Sequence, residues 1–455
     1  MQNFLFVYKK ERLVGYLNFD GKHHEFVYDD NYFNQPNAKP ISLDMPLTDT
    51  VFVSEGMFSV FEQVIPEGQD RKLLEKKAGS ANEFDLLLFL NHIYGDLQFS
   101  QIPRQFQEKE KFQPFNYVDV KTDILGKNEF PNVLGMAIKI DDNVLFPPNN
   151  NHLNNFQPAG LSGFQHKLSI VINDKIIRQP KKDEASEYFM KPYYPLRANP
   201  ESEYYLPHLA INEHLFMTFA KNELGFDVPW SGIVKTATDN EYHYVVKRYD
   251  RYRGSKFSHE EFATLVGLNS ETKYQISSER LFKAIKKYLT LKSERLILLK
   301  YYFYSMVIAH QDMHTKNLSV LTEDNKIRMS PLYDIATTAV YQSAFFHETA
   351  LSISGKSKNI RPADFYKLVE LIEVNKKHFD KEAANILFKY THKLPEYFEK
   401  IEKLPEVIFY ERSRINTPGR KPRIAKSISF AERLKRQHQQ RIKQLDKAGW
   451  YNYFQ

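Results

Sequence analysis

Short apolar runs separated by charged turns open the chain, and longer apolar runs at helical spacing dominate its second half. Phe4 to Tyr8 and Leu13 to Phe19 read as a hairpin, turned by Lys9, Lys10, Glu11 and Arg12. Phe58 to Ile65 and Phe84 to Asn91 read as helices, Arg71 to Ala78 as a charged helix between them, and Tyr94-Gly95-Asp96-Leu97 as a stop. This pattern predicts an α+β unit over residues 1–102. From 103 to 158 the chain is polar and broken, with Asn149 to Asn151, Asn154 and Asn155, the composition of a link or loop. Phe164, Leu168, Ile170 and Ile172 then alternate with polar residues, and Tyr188 to Met190 and Tyr242 to Val246 are further short strands. Between them Leu209, Ile211, Leu215, Phe216, Phe219, Ala220 and Leu224 mark an amphipathic helix, ended by Gly225 and Pro229. Residues 159–257 therefore form a small sheet-bearing lobe. After Ser258 the pattern turns helical, notably Glu294 to Ala309 and Ala363 to Glu373, with strands expected only at Leu318 to Leu321 and Ile327 to Met329. A mainly helical lobe over 258–405 and an extension over 406–455 complete an α+β protein.

Composition narrows the chemistry. The 455 residues are 42% hydrophobic and 26% charged, an ordinary globular balance that disfavours disorder and fibrous architectures. With no cysteine, disulfides, thiol nucleophiles, Cys-ligated zinc and iron–sulfur clusters are excluded. No apolar run reaches membrane-spanning length and no signal-peptide core precedes Lys9, so a cytoplasmic protein without a membrane partner is expected. The net charge of +7 is concentrated between Glu411 and Lys447, where twelve Lys or Arg face three acids. Arg433, Lys435, Arg436, Arg441 and Lys443 would surround a helix with charge, and Trp450, Tyr451, Tyr453 and Phe454 would dock it. Such a tail contacts nucleic acid or an acidic protein, or is a solvated extension.

The sharpest motif is His310-Gln311-Asp312-Met313-His314-Thr315-Lys316-Asn317, followed by strand, turn, strand and Leu332-Tyr333-Asp334-Ile335. H-x-D-x-x-x-x-N with a later Asp is the spacing of a kinase catalytic loop and metal-binding aspartate. Asp312 would orient or deprotonate the attacking hydroxyl, while Asn317 and Asp334 would supply oxygen ligands to Mg²⁺ on the phosphates of ATP. Lys316 would neutralise the transferring phosphoryl group and His314 would hydrogen-bond beside the metal. His310 and His314 also carry the four-residue spacing of a helical zinc-hydrolase pair, without its glutamate. Upstream, Ser162-Gly163-Phe164-Gln165-His166-Lys167 stands where a phosphate-covering loop belongs. Lys191 precedes Glu213 by 22 residues, as a phosphate-binding lysine and its carboxylate partner would. Lys247-Arg248-Tyr249 falls at the connection between lobes, where backbone groups would be presented to adenine, with Tyr249 flanking the base or filling a core edge.

With these pieces in order, together with Asn212, Arg248-Tyr249-Asp250-Arg251, Ser319 and Ala350-Leu351-Ser352-Ile353-Ser354-Gly355-Lys356, the chain resembles the HipA toxin kinase family from its first strand to about residue 405. The resemblance implies a two-lobed protein-kinase-like fold with an N-terminal accessory subdomain, as in the family's long form. It also implies an ATP- and Mg²⁺-dependent Ser/Thr kinase acting as the toxin of a toxin–antitoxin pair. Asp312 would be its base and Asn317 and Asp334 its metal ligands; a small, HipB-like DNA-binding antitoxin would link it indirectly to operator DNA. Family targets are aminoacyl-tRNA synthetases, among them the glutamyl and tryptophanyl enzymes. Where many relatives carry Ser-x-Ser-Gly before the phosphate loop, this chain has Gly160 and Ser162, so only Ser162 is available for autophosphorylation. Two rival readings are a small-molecule kinase of the aminoglycoside or lipid type and a non-catalytic subunit of a DNA-binding repressor complex.

Overall fold

A computed structural model describes residues 4–105, 129–146, 165–181, 184–237, 239–252, 255–323, 326–341, 347–412 and 422–454. The amino-terminal hairpin Phe4–Lys9 and Arg12–Phe19 is the centre of a five-stranded sheet that adds His24–Tyr28 and Phe52–Ser54 on one side and Leu97–Ser100 on the other. Leu5, Val7, Val14, Leu17 and Phe26 bury against Phe61, Leu74 and Phe84, giving this unit a core of its own. Gly15 is required where the strands meet, because a Cβ there would lie 2.3 Å from the Val27 carbonyl oxygen. The expected helices around Phe58 and Phe84 contract to Ser59–Glu62 and to Glu83–Leu86 with a following 3-10 turn. The charged one runs Gly68–Ala78 and closes on left-handed Gly79.

The small lobe is a six-stranded sheet in the order Ser231–Lys235, Tyr242–Lys247, Tyr188–Lys191, Leu168–Asn173, Ile176–Arg178, Ala137–Lys139. Its last strand corrects the expected link over 103–158. Residues 129–146 are part of the lobe, with Ala137–Lys139 parallel to Ile176–Arg178 and Leu134, Val144 and Leu145 sharing a core with Ile170 and Trp230. A three-residue strand and the single-turn helix Asp142–Leu145 are too short to show a period in sequence. The Asn-rich stretch lies outside the described residues. Helix Leu209–Asn222 is buried on nearly all sides between this sheet and the large lobe.

In the large lobe, Ser258–Glu261 pairs with Ser319–Glu323, which pairs with Lys326–Met329. This additional strand corrects the expectation of only two. All four of its residues, Ser-His-Glu-Glu, are buried, because Glu260 accepts from Ser42 Oγ at 2.5 Å and Leu43 N at 3.0 Å of the amino-terminal unit. The polar residues are satisfied across a domain boundary, so no apolar alternation marks the strand. Arg248, Asp250 and Arg251 dock the same unit. Arg248 Nη1 and Nη2 donate to the His92 and Ile93 carbonyls at 2.6 and 2.8 Å, Asp250 accepts from Gly95 N at 2.9 Å, and Arg251 donates to the Gly95 carbonyl at 2.8 Å. Burial opposes the Asp250 charge, but the two guanidiniums outweigh it and hold the carboxyl down at about 2.

The carboxy-terminal segment is a structural part of the large lobe. Hairpin Ile408–Arg412 and Ile424–Ser429 leads into helix Phe430–Lys447, whose Phe430, Leu434 and Leu445, with Trp450 beyond, join the main core. The expected helix charged all round is thus corrected to one with a buried face. Its cations are largely matched: Lys435 pairs with Glu402 at 2.7 Å and Arg436 with Glu432 at 2.7 Å, while Arg433 donates to the Val340 carbonyl at 2.8 Å. Arg441 is fully buried, donating to the Val307 and Met306 carbonyls at 3.0 and 2.8 Å and pairing with Glu348 at 2.9 Å. A cation on the last turn of helix Lys292–Val307 adds hydrogen bonds to its terminal carbonyls and complements its dipole. Arg441→Ala, which strands Glu348 in the interior, should destabilise the large lobe by roughly 3–5 kcal/mol in urea unfolding, and Arg441→Met with Glu348→Leu should recover much of that loss. Removing residues 411–455 should likewise prevent cooperative folding of the large lobe, where a mere appendage would leave it unchanged.

Candidate active site

Helix Lys292–Val307 delivers the central motif. It ends with Ala309 in the left-handed region (φ 53°) and His310 N donating to the Ser305 carbonyl at 2.8 Å, a closure glycine usually provides. The two-histidine metal reading fails here, since His310 and His314 lie beyond the helix, and His310 Nδ1 is 2.7 Å from the Ala336 carbonyl. The loop then folds on itself. His314 N and Asn317 Nδ2 donate to the Asp312 carbonyl at 2.8 and 2.7 Å, Asn317 N to the His314 carbonyl at 3.0 Å, and Lys316 N to His314 Nδ1 at 3.2 Å. Burial holds the His314 imidazole down at about 4, so the ring is neutral and able to accept that bond. The Asp312 carboxylate stays half exposed and accepts from the Tyr274 hydroxyl.

Asp312, His314, Asn317 and Asp334 line one cavity of about 720 Å³ between the lobes, with Gln165, Lys167, Lys191, Glu213 and Tyr249 on its other walls. The ion pair expected from spacing is formed: Lys191 Nζ lies 2.8 and 2.9 Å from the Glu213 oxygens and 2.5 Å from Asp334 Oδ1. Burial opposes the charges of Lys191 and Asp334. Their mutual attraction wins, raising the lysine and depressing the aspartate. Burial lowers Lys167, against the pull of Asp334. Asp334 sits at φ 55°, a conformation aspartate tolerates better than most residues.

Several expected residues take other positions. Ser162, Gly163 and Phe164 lie outside the described residues. His166 is turned from the cavity, with Nδ1 2.7 Å from Asp70 and Nε2 3.0 Å from the Val144 carbonyl, which corrects its assignment to the nucleotide. The Lys247 side chain is also outside the lining. It is buried 3.9 Å from Glu187 and over the Tyr252 ring, and its backbone N–H is taken by the Trp230 carbonyl at 2.9 Å. Tyr249 lies at the cavity wall and also packs on Tyr333 at 5.5 Å, its hydroxyl 3.0 Å from His259 Nε2. Lys316 lines the cavity, and its ammonium is matched by Glu67 at 3.1 Å and Glu261 at 3.5 Å and donates to Ser270 Oγ at 3.1 Å. Glu67, Lys273 and Tyr274 also line the site without having been foreseen, since no local spacing ties them to residue 312.

Among the described residues no cluster of three or more His, Asp or Glu is ready to hold a metal alone. The donors fit Mg²⁺, which takes one or two carboxylate or amide oxygens together with phosphate and water. Asp334 offers its carboxylate, and Asn317, oriented by the bond from its Nδ2, offers its side-chain oxygen.

Comparison with known families matches residues 159–398 to the HipA-like C-terminal domain and residues 5–99 to the HipA N-terminal domain. The chain belongs to the HipA family. Among its relatives is the putative kinase Y4mE of Sinorhizobium fredii, 26% identical over 347 residues, covering 72% of this chain and 76% of the relative. A putative kinase of Haemophilus influenzae is 32% identical over 213 residues, 43% of this chain and 57% of the relative. In fold, the HipA of a Shewanella oneidensis toxin–antitoxin system, solved with HipB and operator DNA, matches with a TM-score of 0.63 at 16% identity over 97% of both chains. That span extends the HipA likeness of fold beyond the expected limit near residue 405.

Burial pushes the Glu213 carboxyl up to about 7, with Lys191 resisting and Asp334 assisting. Because this folded value lies above the ordinary carboxylate range, the proton taken up on folding favours the native state below about 4.5, and that contribution is lost as pH rises through about 7. The ion pair needs the ionised form, so it gains as pH rises. The net contribution of Glu213 to native stability should fall as pH rises through about 7, and Glu213→Gln should remove that dependence, as measured by urea unfolding across the window.

Proposed function

We propose that the chain is an ATP- and Mg²⁺-dependent serine/threonine protein kinase that acts as the toxin of a toxin–antitoxin pair. The observation carrying this reading is the convergence of Asp312, Asn317, Asp334 and the Lys191–Glu213 pair on a single interlobe cavity. Lys191 and Lys167 present positive charge at one wall, suited to the phosphates of ATP, and Glu213 fixes Lys191 so that little reorganisation accompanies binding. Mg²⁺, when bound, neutralises charge on the β- and γ-phosphates. Asp312 would exchange the Tyr274 hydroxyl for the substrate hydroxyl, orient it and receive its proton as the new O–P bond forms and the bond to ADP breaks. His314 and Asn317 hold the Asp312 backbone in place through the bonds described above.

The toxin role rests on family membership, and the Shewanella complex supports a small DNA-binding antitoxin as partner. A translation-related substrate such as an aminoacyl-tRNA synthetase is proposed on the resemblance alone. With γ-labelled ATP and a cell lysate, the wild type should label a discrete protein on serine or threonine. Asp312→Asn should reduce transfer by at least ~10² while nucleotide affinity stays near wild type, and Asp334→Asn should weaken Mg²⁺-dependent binding. Undiminished transfer by Asp312→Asn would remove the assignment. Self-phosphorylation at Ser162 is proposed on the resemblance, and it would add roughly −2 charge to the chain ahead of Lys167. Mass spectrometry should find it in the wild type and not in Asp312→Asn.

A further inference from the structure

The turn that begins helix Gly68–Ala78 of the amino-terminal unit presents two carboxylates to the kinase lobes. Glu67 occupies the N-cap position and Asp70 the third helical position, where acidic side chains ordinarily serve their own helix. The Glu67 side chain makes no cap hydrogen bond. It reaches instead into the interlobe cavity, 2.7 Å from Lys273 Nζ and 3.1 Å from Lys316 Nζ, with both lysines nearly buried. Lys316 immediately precedes Asn317, whose side chain holds the Asp312 carbonyl. Three residues along the same helix, Asp70 lies 2.7 Å from His166 Nδ1 and accepts from Lys167 N at 3.4 Å. Those two residues end the segment that precedes strand Leu168–Asn173, and the Lys167 side chain lines the same cavity.

We infer that Glu67 and Asp70 are positioning residues of the kinase site: through Lys316 and through His166–Lys167 respectively, the amino-terminal unit braces the catalytic loop and the exit of the phosphate loop in one relative placement. The inference rests on the kinase reading for its consequence and on geometry alone for the brace. A loop whose anchoring cation loses one of its two carboxylates relaxes toward Glu261, carrying Asn317 with it, and a small misplacement of reacting groups is enough to slow transfer strongly. The unit is then a component of the active site acting in cis, more than an attached module.

The test uses the full chain and the single variants Glu67→Gln and Asp70→Asn, examined by hydrogen–deuterium exchange and by steady-state kinetics well below their melting temperatures. Glu67→Gln should speed exchange at the amides of His314, Lys316 and Asn317 and lower kcat about tenfold, with ATP affinity within about twofold of wild type. Asp70→Asn should speed exchange at Lys167 and act mainly on KM for ATP. Should Glu67→Gln fold poorly, Glu67→Asp keeps the charge and shortens the reach by one methylene, and it should give intermediate exchange at near-normal stability. Exchange that is unchanged in both loops, or changed equally throughout the chain, overturns the brace whatever the activity. Local exchange changes in a wild type and variants that transfer no phosphoryl group would overturn the kinase reading and leave the brace standing.

Discussion

Charge taken out of water has to be matched, and this requirement organises the molecule. A buried ion costs several kcal/mol unless an opposite charge and hydrogen bonds surround it. The cleft nevertheless holds Lys191, Lys273 and Lys316 beside Glu67, Glu213 and Glu261, all nearly buried. Each cation is met by a carboxylate from a different part of the chain: Glu213 from the central helix, Glu261 from a polar strand, Glu67 from the amino-terminal unit. The same rule applies at the domain boundary, where Arg248, Asp250 and Arg251 are buried together against the Gly95 turn. The amino-terminal unit, whose apolar core is its own, is therefore joined to the kinase lobes largely by ionic and polar contacts, while the two lobes also share one continuous apolar core.

These contacts place the chemistry. Helix Lys292–Val307 provides a rigid floor, the bonds onto the Asp312 carbonyl shape the loop, and the adjoining sheet carries the chain back so that Asp334 faces Lys191. Asp312 is left half exposed while its neighbours are buried, so its carboxylate is the group of this loop that an incoming molecule can reach.

Local signals were legible where chemistry and spacing coincide. Asp312 to Asn317 and Asp334 could be read because a loop between a helix and a hairpin fixes their separations, and Lys191 and Glu213 because strand and helix each had clear periodicity. Glu67 and Lys273 were not legible, since their partners lie more than 40 residues away in sequence and only tertiary packing joins them. His166 shows the converse error: its place in the motif suggested nucleotide binding, yet Asp70 and the Val144 carbonyl occupy both ring nitrogens. The buried strand Ser258–Glu261 was missed, and the expected helix at Phe430–Lys447 was read as charged all round, because their polar residues are satisfied across domain or element boundaries, so polarity stopped marking exposure.

Arg441 has a consequence for synthesis. The guanidinium that closes the catalytic helix is encoded well over a hundred residues after that helix, so a growing chain emerges with the whole of residues 310–334 before the group that finishes their support exists. Any chain interrupted between residues 335 and 440 would carry every catalytic side chain and lack the cation over Met306 and Val307. The fold thus contains an ordering in time, in which support for the loop is completed only once the carboxy-terminal helix has been made.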